Sequence, residues 1–185
     1  MRRWEGKTVV CIGSGPSLTP EDCDYIRRSG APCIALNSSW KVARFAEILF
    51  AGDFAWWKAN IDSIDIDIEK WTCSRTARDR YGINISPHTG VDWHSGLRAV
   101  QLAEWFGASK ILLVGYDCSV DQGTHHHGHH VATTNPTASV CKGWRRQFAY
   151  LASVTKAEII NCSRRTALQA FPCRNLEEVL YAGQY

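Results

Sequence analysis

The chain is 185 residues long, 45% hydrophobic and 21% charged, with a formal net charge of +3. That length suits one domain with a sizeable core, and the composition is that of a globular protein rather than a disordered or fibrous one. So small a positive charge gives no argument for nucleic acid as partner, and no apolar run approaches the length of a membrane span.

Thr8 to Leu18, TVVCIGSGPSL, is the first legible stretch. The apolar run Val9 to Ile12 predicts a buried parallel strand. It breaks into Gly13-Ser14-Gly15-Pro16-Ser17, where the glycines permit a tight turn and close approach of a ligand to the backbone. Thr19 as N-cap, Pro20 at the first helical position and the acids Glu21 and Asp22 then predict a helix from about Pro20 to Arg28. Strand, glycine turn and helix start together present N–H groups to a phosphate. The stretch lacks the third glycine of the dinucleotide fingerprint, and a tight turn without ligand is the alternative.

Cys33 to Leu36 predicts a second strand ending at Asn37, with Ser38-Ser39 opening a helix through Phe45. Glu47 to Ala51 predicts a third, ending at Gly52-Asp53, with a helix carrying Trp56, Trp57 and Lys58 behind it. Ser14, Asn37 and Asp53 therefore all lie at carboxyl ends of predicted parallel strands, where ligands bind in open α/β sheets. Ile61 to Lys70 alternates apolar and acidic residues, as an edge strand or a solvated connection does. Trp71 to Cys73 reads as a strand, and Ser74 to Gly82, with Arg75, Arg78 and Arg80, as an exposed loop.

His94 to Phe106 is an amphipathic helix stopped by Gly107. Lys110 to Val114 is a strong parallel strand ending in Gly115-Tyr116-Asp117; Asp117 is either a site acid or a turn cap. Gln122 to Asn135, QGTHHHGHHVATTN, has neither helix nor strand periodicity and predicts a loop. Trp144 to Ser153 predicts a helix, Glu158 to Asn161 a strand, Ser163 to Ala170 a short helix, and Asn175 a cap for a last helix through Tyr181. Alternating strands and helices predict a single doubly wound, mostly parallel Rossmann-like α/β domain, helices on both faces.

The eight cysteines include no CxxC pair and sit mostly in or beside apolar runs. They read as reduced thiols of a cytoplasmic protein, in keeping with an N-terminus that shows no signal peptide. Trp40 and Trp56-Trp57 suggest a site wall or interface, with core packing as the commoner fate.

VVCIGSGPSL, ALN, HSGLRAVQLAEWFGASKILLVGYDC, a histidine loop, a helix and EIINCSRRTALQAFP form, in that order, a pattern that resembles the bacterial sialyltransferases that use CMP-sialic acid. It is similar also to motility-associated glycosyltransferases, to archaeal-type hydroxymethylpterin diphosphokinases and to small phage-encoded proteins, which implies a phage or prophage member acting in the host cytoplasm. The resemblance runs from about Thr8 to Pro172 and is closest over Ser95 to Asp117. It implies that Gly13, Ser14, Gly15, Pro16 and Ser17 lie against nucleotide phosphates, that Asn37 and Asp53 contact the nucleotide, that Ser95 and Gly96 cradle it from a helix start, and that a late histidine among His126 to His130 is the general base. Four departures stand out. Ser14 replaces an asparagine, Gly52 or Asp53 falls where another asparagine is expected, Asp92 stands near the place of an arginine, and the pair of lid tyrosines has no counterpart.

Glycosyl transfer by direct displacement needs a base for the acceptor hydroxyl, and a histidine has the pKa for it. His127 and His130, on a loop able to close over substrate, are the candidates. Helix starts at Ser17 and Ser95 would offset phosphate charge. A metal is the alternative use of the loop: His125, His127 and His129 share a face in extended chain and, with Asp117 or Asp121, suit a transition metal. A solvated loop is the third. His94, before Ser95-Gly96, either contacts phosphate or caps.

Three functions follow. The first is a glycosyltransferase using a nucleotide-activated sugar as substrate, with no tightly bound cofactor. The second is a diphosphokinase using ATP and a divalent cation on Asp53 and Asp117. The third is a non-catalytic nucleotide-binding phage protein. The partners expected are a small-molecule nucleotide donor, an acceptor and a second copy of the chain in a homo-oligomer.

Overall fold

The computed structural model describes residues 2–88, 94–128 and 135–182. Seven strands, β1 (Thr8–Ile12), β2 (Cys33–Leu36), β3 (Ile48–Phe50), β4 (Glu69–Thr72), β5 (Asn84–Ile85), β6 (Lys110–Val114) and β7 (Glu158–Asn161), form one sheet in the order β5-β4-β3-β2-β1-β6-β7. Every neighbouring pair is parallel. The central strands are apolar at successive positions because both faces are covered.

Alternate residues feed two cores, as the two-residue period of a strand requires. Val9, Cys11, Leu36, Phe50, Ile111 and Leu113 pack with Leu97, Val100 and Leu102 of α4 (Ser95–Trp105) and with Phe148 and Leu151 of α5 (Ala138–Val154). Val10, Ile12, Ala35, Leu49, Leu112 and Val114 pack on the opposite face. That face is covered by α1 (Pro20–Ser29), α2 (Phe54–Asn60), α3 (Arg75–Tyr81) and α6 (Leu176–Tyr181). The domain is therefore the expected doubly wound α/β fold. No helix among the described residues is long and apolar enough to cross a membrane.

From β1 the chain steps outward through β2, β3, β4 and β5; α4 then carries it back to β6 on the other side of β1. Strand order thus reverses between β1 and β6, and in open α/β sheets the crevice for a ligand lies beyond the carboxyl ends at such a reversal.

Several sequence expectations fail locally. Ser74 to Gly82 is not a loop: Ser74 caps α3 through the Ala77 amide, Gly82 ends it at φ 65°, and Ala77 is its single buried residue. One small apolar side chain in a run of arginines leaves almost no amphipathic pattern to read. Ser163 to Ala170 is not helical. It is an irregular, bent segment held by bonds to the end of β6, the Thr166 hydroxyl donating to Tyr116 O at 2.8 Å and the Ala167 amide to Asp117 O at 2.8 Å. The helix expected over Ser38 to Phe45 is a single 3-10 segment, Asn37–Lys41. α5 begins six residues before Trp144, at the Thr137 cap. The two-residue β5 went unforeseen.

Trp40, Trp56 and Trp57 are core residues, not a site wall. All the described cysteines are free thiols, as expected. Trp57 is wholly buried, and its indole N–H donates to Ala51 O at 2.8 Å, just past β3. Trp57→Ala is expected to lower stability by about 3–5 kcal/mol, the range for large aromatic truncations, measured as a fall in the urea midpoint at constant m-value.

Candidate functional site at the strand-order reversal

The β1 turn and the β6 turn are in backbone contact. The Gly13 amide donates to Val114 O at 2.7 Å and the Gly15 amide to Gly115 O at 2.9 Å. A Cβ on Gly13 would stand 2.5 Å from Gly115 O, and one on Gly15 would overlap the Asp117 carboxylate. Asp117 in turn accepts from the Ser17 amide at 2.9 Å and from the Ser17 hydroxyl at 2.5 Å. Burial pushes the Asp117 carboxyl up from its ordinary value, while the two Ser17 bonds and the charge of Arg165 pull it back down.

These bonds alter the phosphate-cradle expectation. The amides of Gly13, Gly15 and Ser17 are turned inward to β6 and Asp117, and Pro16 has none. Ser17 and Asp117 clip each other, each Asp117 oxygen accepting one bond. Nor does α1 start at Ser17. Thr19 is its cap, in a reciprocal box with Asp22, and Arg164 bonds Asp22 at 2.9 Å, so this helix start already holds its own anion.

The start of α4 differs. His94 occupies its cap position without a side-chain capping bond, and its first turn carries no acid. Ser95 Oγ accepts from the Gly52 amide at 3.0 Å, which fixes α4 at the end of β3. The Tyr116 hydroxyl donates to Gly96 O at 3.1 Å, which fixes it at the end of β6. Ser39 Oγ donates to Gly13 O at 2.7 Å, tying the 3-10 segment after β2 to the β1 turn. Asn37 opens that segment at φ 47°, in the left-handed region that costs most residues energy but asparagine least. Asp53 stands at the cap of α2 and makes no capping bond.

The predicted site residues Gly13, Ser14, Asn37, Ser95, Gly96 and Asp117, with Asp53 beside Gly52, thus lie along one chain of contacts across the carboxyl edge. Sequence reasoning missed the groups that join them. Ser39 and Tyr116 are ordinary residues until the topology places them.

His94 is not a cation for phosphate. Its ring lies 4.9 Å from that of Trp144 and 5.1 Å from that of Phe148, and its Nε2 is buried without a partner among the described residues. Burial, then the charge of Arg98, lower its pKa to about 3, so it is neutral at physiological pH.

The histidine loop sits on the β1 turn. The His126 amide donates to Ser14 O at 2.9 Å, and a 3.0 Å hydrogen bond joins Ser14 Oγ to His125 Nδ1. The rings of His125 and His127 stack with centroids 5.1 Å apart and planes 2° from parallel. Burial and the neighbouring His127 lower His126 to about 4. His127 is exposed yet lowered too, by desolvation first and then by the charge of Lys41. His129 and His130 lie outside the described residues, as does Asp92, so neither the metal trio nor the second candidate base has a described geometry. Among the described residues no three His, Cys, Asp or Glu side chains are grouped to hold a metal ion, and Asp121 is taken by the Ser119 hydroxyl at 2.7 Å.

A separate cleft of about 460 Å³ opens between α1 and α6, lined by Asp22, Tyr25, Arg164, Arg174, Asn175 and Glu177. Its Arg164 is already paired with Glu21 and Asp22.

No protein-family model matches the chain, and no curated protein does. Among solved structures it is similar to the epimerase Mth375 from the pseudomurein-containing methanogen Methanothermobacter thermautotrophicus, at 15% identity and a TM-score of 0.33. The match covers 86% of this chain but 52% of that one, so this chain spans about half the length of that structure. At that similarity the epimerase's activity carries no argument for this protein.

Two measurements check the geometry. Gly13→Ala forces a methyl into the Gly115 carbonyl and is expected to destabilise by about 1–3 kcal/mol, the usual cost of overpacking, read by urea denaturation. His94 has a folded pKa of about 3 and an unfolded one near 6.5, so below pH ~6.5 the unfolded chain binds the proton first and stability falls as pH falls. Between pH 7 and 5 the His94 share of that loss is roughly 2 kcal/mol, and His94→Phe is expected to remove it.

Proposed function

We propose that this protein is a nucleotide-binding transferase, a glycosyltransferase that takes a nucleotide-activated sugar of the CMP-sialic-acid kind as donor. The observation that carries the reading is the convergence of Ser14, Asn37, Asp53, Ser95 and Asp117 on the edge where strand order reverses, with a histidine loop docked on the same turn. The resemblance to the sialyltransferases supports it independently of the geometry.

In this reading the donor phosphate faces the start of α4, whose first-turn amides and lack of acids suit an anion. Lys41, near His127 on the same rim, offsets charge as the nucleotide leaves. His127 takes the proton from the acceptor hydroxyl. Its lowered pKa keeps it in the neutral, proton-accepting form at pH 7. The β1 turn positions mainly by shape, because the Gly13 and Gly15 amides are spent on the end of β6 and the Ser17 amide on Asp117.

Thermal-shift titration with CMP, UDP, ATP and their sugar conjugates, each with and without Mg²⁺, is expected to show stabilisation by a nucleotide sugar without a cation requirement. His127→Ala is expected to lower transfer by about 10²–10⁴-fold, the range for a general base, while nucleotide affinity stays within about twofold. Full activity in His127→Ala rejects it as the base.

A further inference from the structure

We propose that Ser14 and His125 form a nucleophile–base pair, giving this edge a serine-based covalent activity toward an electrophilic phosphorus centre. This goes beyond the reading above, in which His127 acts on an acceptor hydroxyl and Ser14 only lies against phosphate.

Four observations meet at Ser14. Its Oγ is 3.0 Å from His125 Nδ1, within reach for proton transfer. It stands on the strand-to-helix turn between β1 and α1 at the strand-order reversal, where a side chain projects from the carboxyl edge of the sheet. The flanking Gly13 and Gly15 are both pinned by their amides to the end of β6, so the serine is carried on a rigid support. And the loop is already tied to Ser14 by the His126 amide on its carbonyl oxygen, so the imidazole–hydroxyl bond is not needed as an anchor.

Nucleophile elbows share this strand–turn–helix placement and its small flanking residues, which let a substrate reach the serine. Ser14 differs in that its φ is not positive. The electrophile is assigned as phosphorus because the same edge carries the start of α4, whose first turn holds no acid and whose N–H groups suit an anionic tetrahedral centre. The step balances. Ser14 Oγ attacks phosphorus as its proton moves to His125 Nδ1. The Oγ–P bond forms, and the bond from phosphorus to the leaving oxygen breaks with its electron pair. His125 then gives the proton to that oxygen; water attacks the phosphoseryl phosphorus while giving a proton to His125, the P–Oγ bond breaks, and His125 returns that proton to Ser14 Oγ.

A fluorophosphonate probe tests the pair without any sugar donor, so its outcome is separate from that of the transferase reading. Oγ–P forms, fluoride leaves and His125 takes the proton. Intact mass and peptide mapping are expected to show one adduct, on Ser14. It is expected to be absent in Ser14→Ala and formed at least tenfold more slowly in His125→Gln, whose side chain accepts a hydrogen bond but not a proton. If His125→Gln melts below the parent, the pH profile of the parent decides: labelling that rises through the histidine range and levels off supports the base. A continuous rise to pH 10, an adduct elsewhere, no adduct, or equal rates in His125→Gln would overturn the proposal.

Discussion

The contact on which the site depends is the backbone approach of two turns, Gly13-Ser14-Gly15 after β1 and Gly115 after β6. Two amide–carbonyl bonds close it, and neither Gly13 nor Gly15 has room for a Cβ. Buried amides must find acceptors. Here they find them on the neighbouring strand's end, which fixes the geometry of the crevice but removes those amides from any ligand. A glycine turn that looks, on sequence, like an open phosphate loop is in the folded chain a strut between central strands.

The rest of the edge is fastened to that strut by single hydroxyls. Ser39 holds the segment after β2 to Gly13, Ser17 holds the Asp117 carboxylate, Ser95 holds α4 to Gly52, and Tyr116 holds α4 to β6. Each such bond contributes about 1 kcal/mol, so the edge is organised by many small terms rather than by one cluster. Two titratable groups beside this network are held neutral at pH 7 chiefly by burial, His94 among the aromatics of α5 and His126 in the histidine loop. The rim therefore carries less positive charge than five clustered histidines suggest; Lys41 and Arg165 are cations beside the described part of the loop. The start of α4 differs from that of α1 in the same way: one has no acid in its first turn and the other holds Asp22, itself paired with Arg164.

The strands and long helices were legible because their physics is local. Lys110 to Val114 and Glu158 to Asn161 lie where their apolar β-branched runs place them, and Thr19, Pro20 and Gly30 mark α1 by capping chemistry alone. Segments stabilised by distant partners were not. α3 buries one alanine, and residues 163–170 take their shape from bonds to β6 rather than from periodicity. The same division holds at the site. The residues at strand ends could be named from topology, but the sequence carries no sign that Ser17 meets Asp117 across 100 positions, or that Ser14 meets His125 across 111.

The central claim is that a nucleotide lies across the carboxyl edge between β1 and β6. Amide chemical-shift mapping of the full chain with CMP-sialic acid tests it most directly. The account predicts perturbations grouped at residues 13–17, 37–41, 52–53, 94–96, 115–118 and 125–128. Perturbations grouped instead around Tyr25, Arg174 and Glu177 in the cleft between α1 and α6, with the glycine turn silent, would contradict it.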